Sequence, residues 1–434
     1  MTLKTTARPT PAPAPLHWPA AAGGTALLVH AVVLVGHRLI PTLGSGWAYL
    51  GIAAVVAALL VGAVDRRAMA TAGAAAATVV AVYVTLLATW PPIFDRAWDS
   101  YMYHIFGTLR FVDGWDIFAR GSESIWTDSY PSGSWVLAAV LVAASGKIFA
   151  GHALTPVVAI ATGVFAAGAL RTAFGRIGPC RRIDLVVAVA VANPIVINQI
   201  LTYYVDGLLY LLGLALLSST LAFAATGRGL YALVGCAAVV LAVNAKTSGL
   251  YFVPAITAVG IVAGVTARGQ AIGPLAMTVV RRALPFAAAF VVAVGALGYR
   301  PFVTNVVDHG QLLYPAPNEV LRGQVPENLS GLPAPAKFVA GLFARTGHIP
   351  HNDRQMIFKL PGSVHPGELT AMSYDTRGGG FGPFFSIAVL AWLGIGATAI
   401  GLRLGGAQRG RSPEGRAPDL RPLAVSLGLL AVCA

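Results

Sequence analysis

An all-α chain that threads a lipid bilayer many times is the fold class this sequence predicts, and three observations predict it. Of 434 residues, 56% are hydrophobic and only 11% charged, where an ordinary soluble domain carries roughly 25% charged residues. Mean hydropathy is +0.71. The apolar residues fall into long runs, each near the length that crosses a bilayer, separated by short basic connectors. So little charge cannot cover a water-facing surface of this size, which excludes soluble Rossmann, barrel and nucleic-acid-binding classes.

The elements follow in chain order. Residues 1–20 are Pro-rich and lack the basic, apolar, small-residue order of a cleaved signal, so they are predicted to form a disordered tail. A helix rises 1.5 Å per residue, so about 20 apolar residues cross the roughly 30 Å hydrocarbon core. On that measure residues 21–89 hold three spans, 22–40, 47–64 and 70–89. A first long loop, 90–152, is rich in Trp, Tyr, Asp and Ser. Within it, 133–147 is read as a juxtamembrane or half-inserted helix that packs the loop down. The core, 153–299, supplies 153–170, 184–199, 207–226, 230–245, 250–266 and 283–299. A second long loop, 300–381, carries Pro, Gly, His, Asn and both charge signs. The segment 382–434 opens with a span at 382–402 and closes on an apolar run of 12 residues, Leu423 to Ala434. That run reaches only about 18 Å, so the natural chain is expected to continue. About 10–11 transmembrane helices result.

Basic residues orient the bundle. With both long loops outside, 17 of the 30 Lys and Arg residues fall in short inner connectors, among them Arg66, Arg67, Arg171, Arg182, Arg228, Arg281 and Arg282. That bias accounts for the net charge of +13 without nucleic acid. It predicts a multi-pass membrane protein whose functional side faces out. Cys180, Cys236 and Cys433 stand alone, with neither a disulfide framework nor zinc spacing.

Ionisable groups near a membrane are costly and mark function, and here they gather at the outer helix ends. FDRAWDSYMYH (Phe94–His104) brings Asp95, Asp99, Tyr103 and His104 together. On a helix, Asp95 and Asp99 share a face and repel, which implies a cation, a basic substrate or a shared proton. NPIVINQILTYYVDG (Asn193–Gly207) breaks at Pro194 and ends on Asp206, the only acid between Asp184 and Asp308. Asp206 reads equally as a helix N-cap and as a site residue. In NAKTSG (Asn244–Gly249), Lys246 is either a snorkelling side chain or a phosphate ligand. YRPFVTNVVDHGQLLYP (Tyr299–Pro315) carries Arg300, Asp308 and His309, the last two a candidate acid/base pair. In SYDTRGGGFGPFFS (Ser373–Ser386), the glycines fit either a close ligand approach or a tight turn. P-loop, GxGxxG, HExxH and GxSxG patterns are absent.

The strings WDSYMYH, YPSGSW, TYYVDG, NAKTSGLYF and DTRGGGFGPFFS give the chain, over roughly residues 70–400, a resemblance to the GT-C superfamily of membrane glycosyltransferases. This chain has Asp99–Ser100 where several such families show Asp–Glu. The resemblance implies a GT-C-like fold and transfer of a sugar from a polyprenyl-phosphate-linked donor to a cell-envelope acceptor at the external face. It maps the catalytic acid to Asp99, with Asp95 and His104 beside it. Tyr103, Asp206, Lys246, Arg300, Asp308 and His309 are then the expected substrate-binding residues. Mg²⁺ or Mn²⁺ is a possible cofactor, with Asp99 and Asp206 as candidate ligands. Tyr101, Trp115 and Trp126 are further candidates for stacking on sugar rings. The competing readings are a transporter or flippase for a lipid-linked glycan, and a non-catalytic membrane scaffold.

Overall fold

A computed structural model describes residues 18–41, 44–95, 98–119, 121–174, 180–266, 272–315 and 326–345, with isolated positions beyond. The tail at 1–17, the span at 382–402, the glycine-rich Ser373–Ser386 string and the final apolar run lie outside the described residues, Gly394 aside. The described chain is helical and holds no strand; one isolated bridge pairs Ala344 with Phe358.

Among the described residues, eight helices have 17 residues or more: α1 (Trp18–Leu39), α2 (Gly46–Val64), α3 (Met69–Thr89), α7 (Leu154–Phe174), α10 (Asp206–Thr226), α11 (Gly229–Ala245), α12 (Gly249–Thr266) and α13 (Ile272–Val292). Shorter pieces lie between them: α4 (Ile105–Val112), α5 (Ile125–Asp128), α6 (Gly133–Ser145), α8 (Cys180–Val191) and α9 (Pro194–Gln199). Beyond α13 come α14 (Thr304–His309) and α15 (Ala334–Leu342). Six of these elements are long and apolar enough to cross a membrane.

How the helices pack separates core from periphery. In α1, α7 and α10, 78%, 72% and 83% of the most apolar window is buried by protein. In α3 the share is 28%, and along Ala276–Leu297 it is 11%. Val84 on α3 and Leu284, Val291 and Val292 on α13 are exposed. Apolar faces left this bare among the described residues suit helices that meet an apolar solvent. α1 packs on α7, α2, α3 and α11, while α10 packs on α7, α11 and α12.

The sequence predicts one span over 184–199, and the structure breaks it in two. α8 stops at Val191, the Asn193 carboxamide oxygen accepts from the Ile195 N–H at 2.9 Å, and Pro194 starts α9 afresh. With 12 residues, α8 reaches about 18 Å, short of a crossing. The break hands residues 200–205 to the loop end of the bundle as a turn.

α6 does not run through the bundle either. Ser132, just before it, accepts from Arg38 Nη2 at 2.6 Å, and Gly133 sits against Asn244. At its other end, Gly46 packs on the backbone of Val140 and Ala144, and Lys147 Nζ donates to the carbonyls of Leu87 and Ala88 at 3.1 and 3.4 Å. Arg38, Gly46, Leu87 and Asn244 all belong to the same end of α1, α2, α3 and α11. α6 is therefore a buried strut laid across that loop end, with ten of its 13 residues buried. The opposite end is basic: Arg171 pairs with Asp184, Arg282 lies 4.7 Å over the Phe223 ring, and Arg66, Arg67 and Arg228 sit at its turns.

The strut gives the first test. A methyl on Gly46 would fall 2.1 Å from Val140 O and 2.5 Å from Ala144 N, both backbone atoms that cannot swing aside. Gly51, one turn along α2, has nothing within 4 Å. Gly46→Ala is expected to cost about 1–3 kcal/mol, while Gly51→Ala is neutral or slightly stabilising. Thermal unfolding of both variants in one detergent measures the difference.

Candidate functional site

The site is assembled at the loop end from four separate stretches. The first is the turn Ser100–His104, which is π-helical, with the Ile105 N–H bonding back to Ser100 O. The wider turn buries Ser100 and His104, half-buries Tyr103 and leaves Tyr101 and Met102 exposed. Single π turns of this kind recur at functional sites.

Asp95 precedes this helix and does not share a face with Asp99, which corrects the sequence expectation of a repelling pair. It is 6% exposed. Its Oδ2 accepts from Ser100 Oγ at 2.5 Å and from the backbone N–H of Tyr203 at 2.9 Å, with His152 Nε2 at 4.0 Å. Asp95 thereby ties the first loop to the turn after α9. Tyr203 adds to the tie, donating through its hydroxyl to Ile148 O at 2.5 Å.

Asp206 opens α10 and does not cap it. The cap is Gln199, whose Oε1 accepts from the Gly207 N–H at 2.8 Å. This leaves the Asp206 carboxylate to pair with Lys246, which follows α11, while Gln199 Nε2 approaches its other oxygen at 3.4 Å. Both ion-pair partners are about one-third exposed, so the pair itself contributes little stability.

Asp99, Asp206 and Lys246 converge around aromatic rings. Tyr103 hydrogen-bonds Asp99, and burial followed by Tyr130 and Asp99 holds its phenol well above the usual range. Tyr130 is raised in the same direction, by burial first and then by the negative charges of Asp206 and Asp99. Tyr130 is therefore the hub between the two carboxylates. Its ring lies 5.2 Å from Tyr103 and stacks on Trp135 at 5.7 Å. Trp135 Nε1–H donates to His104 Nδ1 at 2.7 Å. Burial, then the nearby charge of Lys246, pushes the His104 imidazole down to about 3. The Tyr204 ring lies 6.2 Å from that of His104.

Other expected residues lie elsewhere. Arg300 Nη1 sits 3.4 Å from Asp128 Oδ1, so it ties the entry of the second loop to the first. Asp308 and His309 are exposed at the end of α14, where His309 stacks on Tyr314 at 3.6 Å. Trp115 is 1% exposed and belongs to the core, not to a sugar platform. Among the described residues, no three His, Cys, Asp or Glu side chains gather to hold a metal ion. The Lys246 ammonium already neutralises Asp206, so the donor set does not fit Mg²⁺ or Mn²⁺ between Asp99 and Asp206.

Tyr130, Trp135, Tyr204 and Gln199 also enter the site; Tyr204 and Gln199 belong to the polar Asn193–Gly207 string, whereas Tyr130 and Trp135 were not singled out from sequence as candidates for it. The YPSGSW string, which holds two of them, was the available signal. Beneath the cluster, His30, Ser134, Leu208 and Leu241 line a cavity with room for about one water.

The tie through Asp95 makes a prediction. Asp95→Ala strands two buried donors and is expected to cost about 1–3 kcal/mol, whereas Asp99→Ala leaves unfolding nearly unchanged. Equal losses in the two variants would contradict this division of labour. Compared with known proteins, the chain matches no family model, no curated protein and no solved structure.

Proposed function

We propose that this chain is a membrane glycosyltransferase. In this reading it moves a sugar from a polyprenyl-phosphate-linked donor to a cell-envelope acceptor at the loop end, on the external face of a bacterial plasma membrane. The observation that carries the reading is the gathering of Asp99, Asp206 and Lys246, from three separate connections, around the Tyr130 ring. Scarce charges collected at one end, on helices whose outer faces are apolar, suit a substrate that is itself part lipid and part polar. The GT-C resemblance of the sequence supports it as well.

The chemistry is a single inverting displacement. Asp99, half-buried and held by Tyr103, accepts the proton of the acceptor hydroxyl. The acceptor oxygen forms a bond to the anomeric carbon while the bond from that carbon to the donor phosphate oxygen breaks, its electron pair leaving on the phosphate. Lys246 turns from Asp206 towards that growing charge. The rings of Tyr103, Tyr130 and Tyr204 offer flat faces for sugar, and Asp206 orients acceptor hydroxyls. Arg300 keeps the two loops together through Asp128.

The experiment reconstitutes purified protein in vesicles with radiolabelled polyprenyl-phosphate sugars and cell-envelope acceptors, and follows label into product. Asp99→Asn is expected to lose about 10²–10⁴-fold in transfer with unchanged unfolding temperature. Lys246→Met should weaken turnover and donor binding together. Full transfer by Asp99→Asn would remove the assignment. Label that crosses the bilayer unreacted would favour a flippase instead.

A further inference from the structure

We infer that Trp135 is a positioning residue: its indole N–H holds His104 in one neutral tautomer, so that the remaining ring proton, on Nε2, serves as a hydrogen-bond donor to an oxygen of the ligand. The inference rests on the reading above for the ligand's identity, and on geometry alone for the tautomer.

An indole N–H is a donor with no acceptor capacity. At 2.7 Å from Trp135 Nε1, His104 Nδ1 must therefore present its lone pair, and the proton of the neutral ring falls to Nε2. A second proton on Nδ1 would set two N–H groups against each other inside the protein. Trp135 cannot turn away. It is 1% exposed, packed on the backbone of Gly107 and stacked on Tyr130.

The surroundings reinforce the neutral state. Facing the imidazole are Tyr103 from its own helix, Tyr130 and Trp135 from the rest of the first loop, and Tyr204 from the turn before α10. Lys246, beyond α11, is the charge that acts on it, and it is a cation. Asp99 and Asp206 are engaged by Tyr103 and Lys246 respectively. An imidazolium here would lack a carboxylate, which agrees with the strongly lowered proton affinity. His104 is thus unsuited to accept a proton from an acceptor and suited to donate one hydrogen bond to a sugar hydroxyl or a phosphate oxygen.

The sign of the pH effect follows. Unfolded chains take up a proton at the ordinary value of 6.5, the native ring only near 3. The native state is therefore penalised as pH falls below 6.5, and removing the indole donor relieves part of that penalty.

Nitrogen NMR on the ¹⁵N-histidine-labelled chain in detergent tests the tautomer without any substrate. The His104 signals among the nine histidines are identified by their loss in His104→Gln. The expected result is an Nε2–H ring that stays neutral between about pH 5 and 8. In Trp135→Phe its proton affinity should rise at least about tenfold. An Nδ1–H ring, or a titration indifferent to Trp135→Phe, overturns the inference. A second arm does not need Trp135→Phe to fold. His104→Gln, which keeps an N–H and an acceptor but takes no proton, should hold transfer within about tenfold, while His104→Ala loses about 10²-fold or more. Equal losses would also overturn it. The expected tautomer with no transfer by wild-type protein sinks the transferase reading and leaves the role of Trp135 standing.

Discussion

The carboxylate of Asp95 lies almost beyond the reach of water, yet it accepts from Ser100, five residues on, and from the backbone of Tyr203, 108 residues on. Burying such a group is tolerable only when its lone pairs are used, and using them fixes two loops against each other. The rest of the loop end follows from that constraint. With residues 95 and 203 joined, the π turn carrying Tyr103 and His104 faces the turn carrying Tyr204 and Asp206. α6 closes the arrangement from the side, held by Arg38, Gly46, Leu87 and Asn244 at the ends of four helices.

Polar groups in this protein come as answers to one another, because the chain supplies so few. Asp206 answers Lys246, Asp128 answers Arg300 and Asp184 answers Arg171. Even mid-bundle, His30 is satisfied at both ring nitrogens, by Ala26 O at 2.8 Å and by the Tyr83 hydroxyl at 2.7 Å. The cluster near Tyr130 differs in kind. Its two carboxylates, Asp99 and Asp206, and one ammonium, Lys246, stand beside a set of neutral aromatic rings.

The helices themselves were plain in the sequence, because long apolar runs have few other ways to satisfy their backbones. Asp99, Asp206 and Lys246 were legible for a related reason: a rare charge in such a chain stands out. Their partners were not legible. Tyr130 and Trp135 stood in the YPSGSW string with no site role of their own, until the fold brings Trp135 against His104, 31 positions away, and Tyr130 between Asp99 and Asp206. Asp206 read equally as a helix cap and as a site residue, and the group that caps α10, Gln199, lies on the far side of a turn. The run at 184–199 had span-like composition, and a single Asn–Pro step divides it between α8 and α9. Arg300, Asp308 and His309 adjoin in sequence, but the structure sends the arginine to Asp128 and the histidine to Tyr314.

The bond from Asp95 to residue 203 ends on a main-chain nitrogen. Every amino acid but proline carries that N–H, so this contact places no demand on which side chain stands at 203. In a set of diverged sequences, an aspartate kept for this purpose would have no co-varying partner to betray it. Methods that infer proximity from paired substitutions would pass over this bond between the two loops.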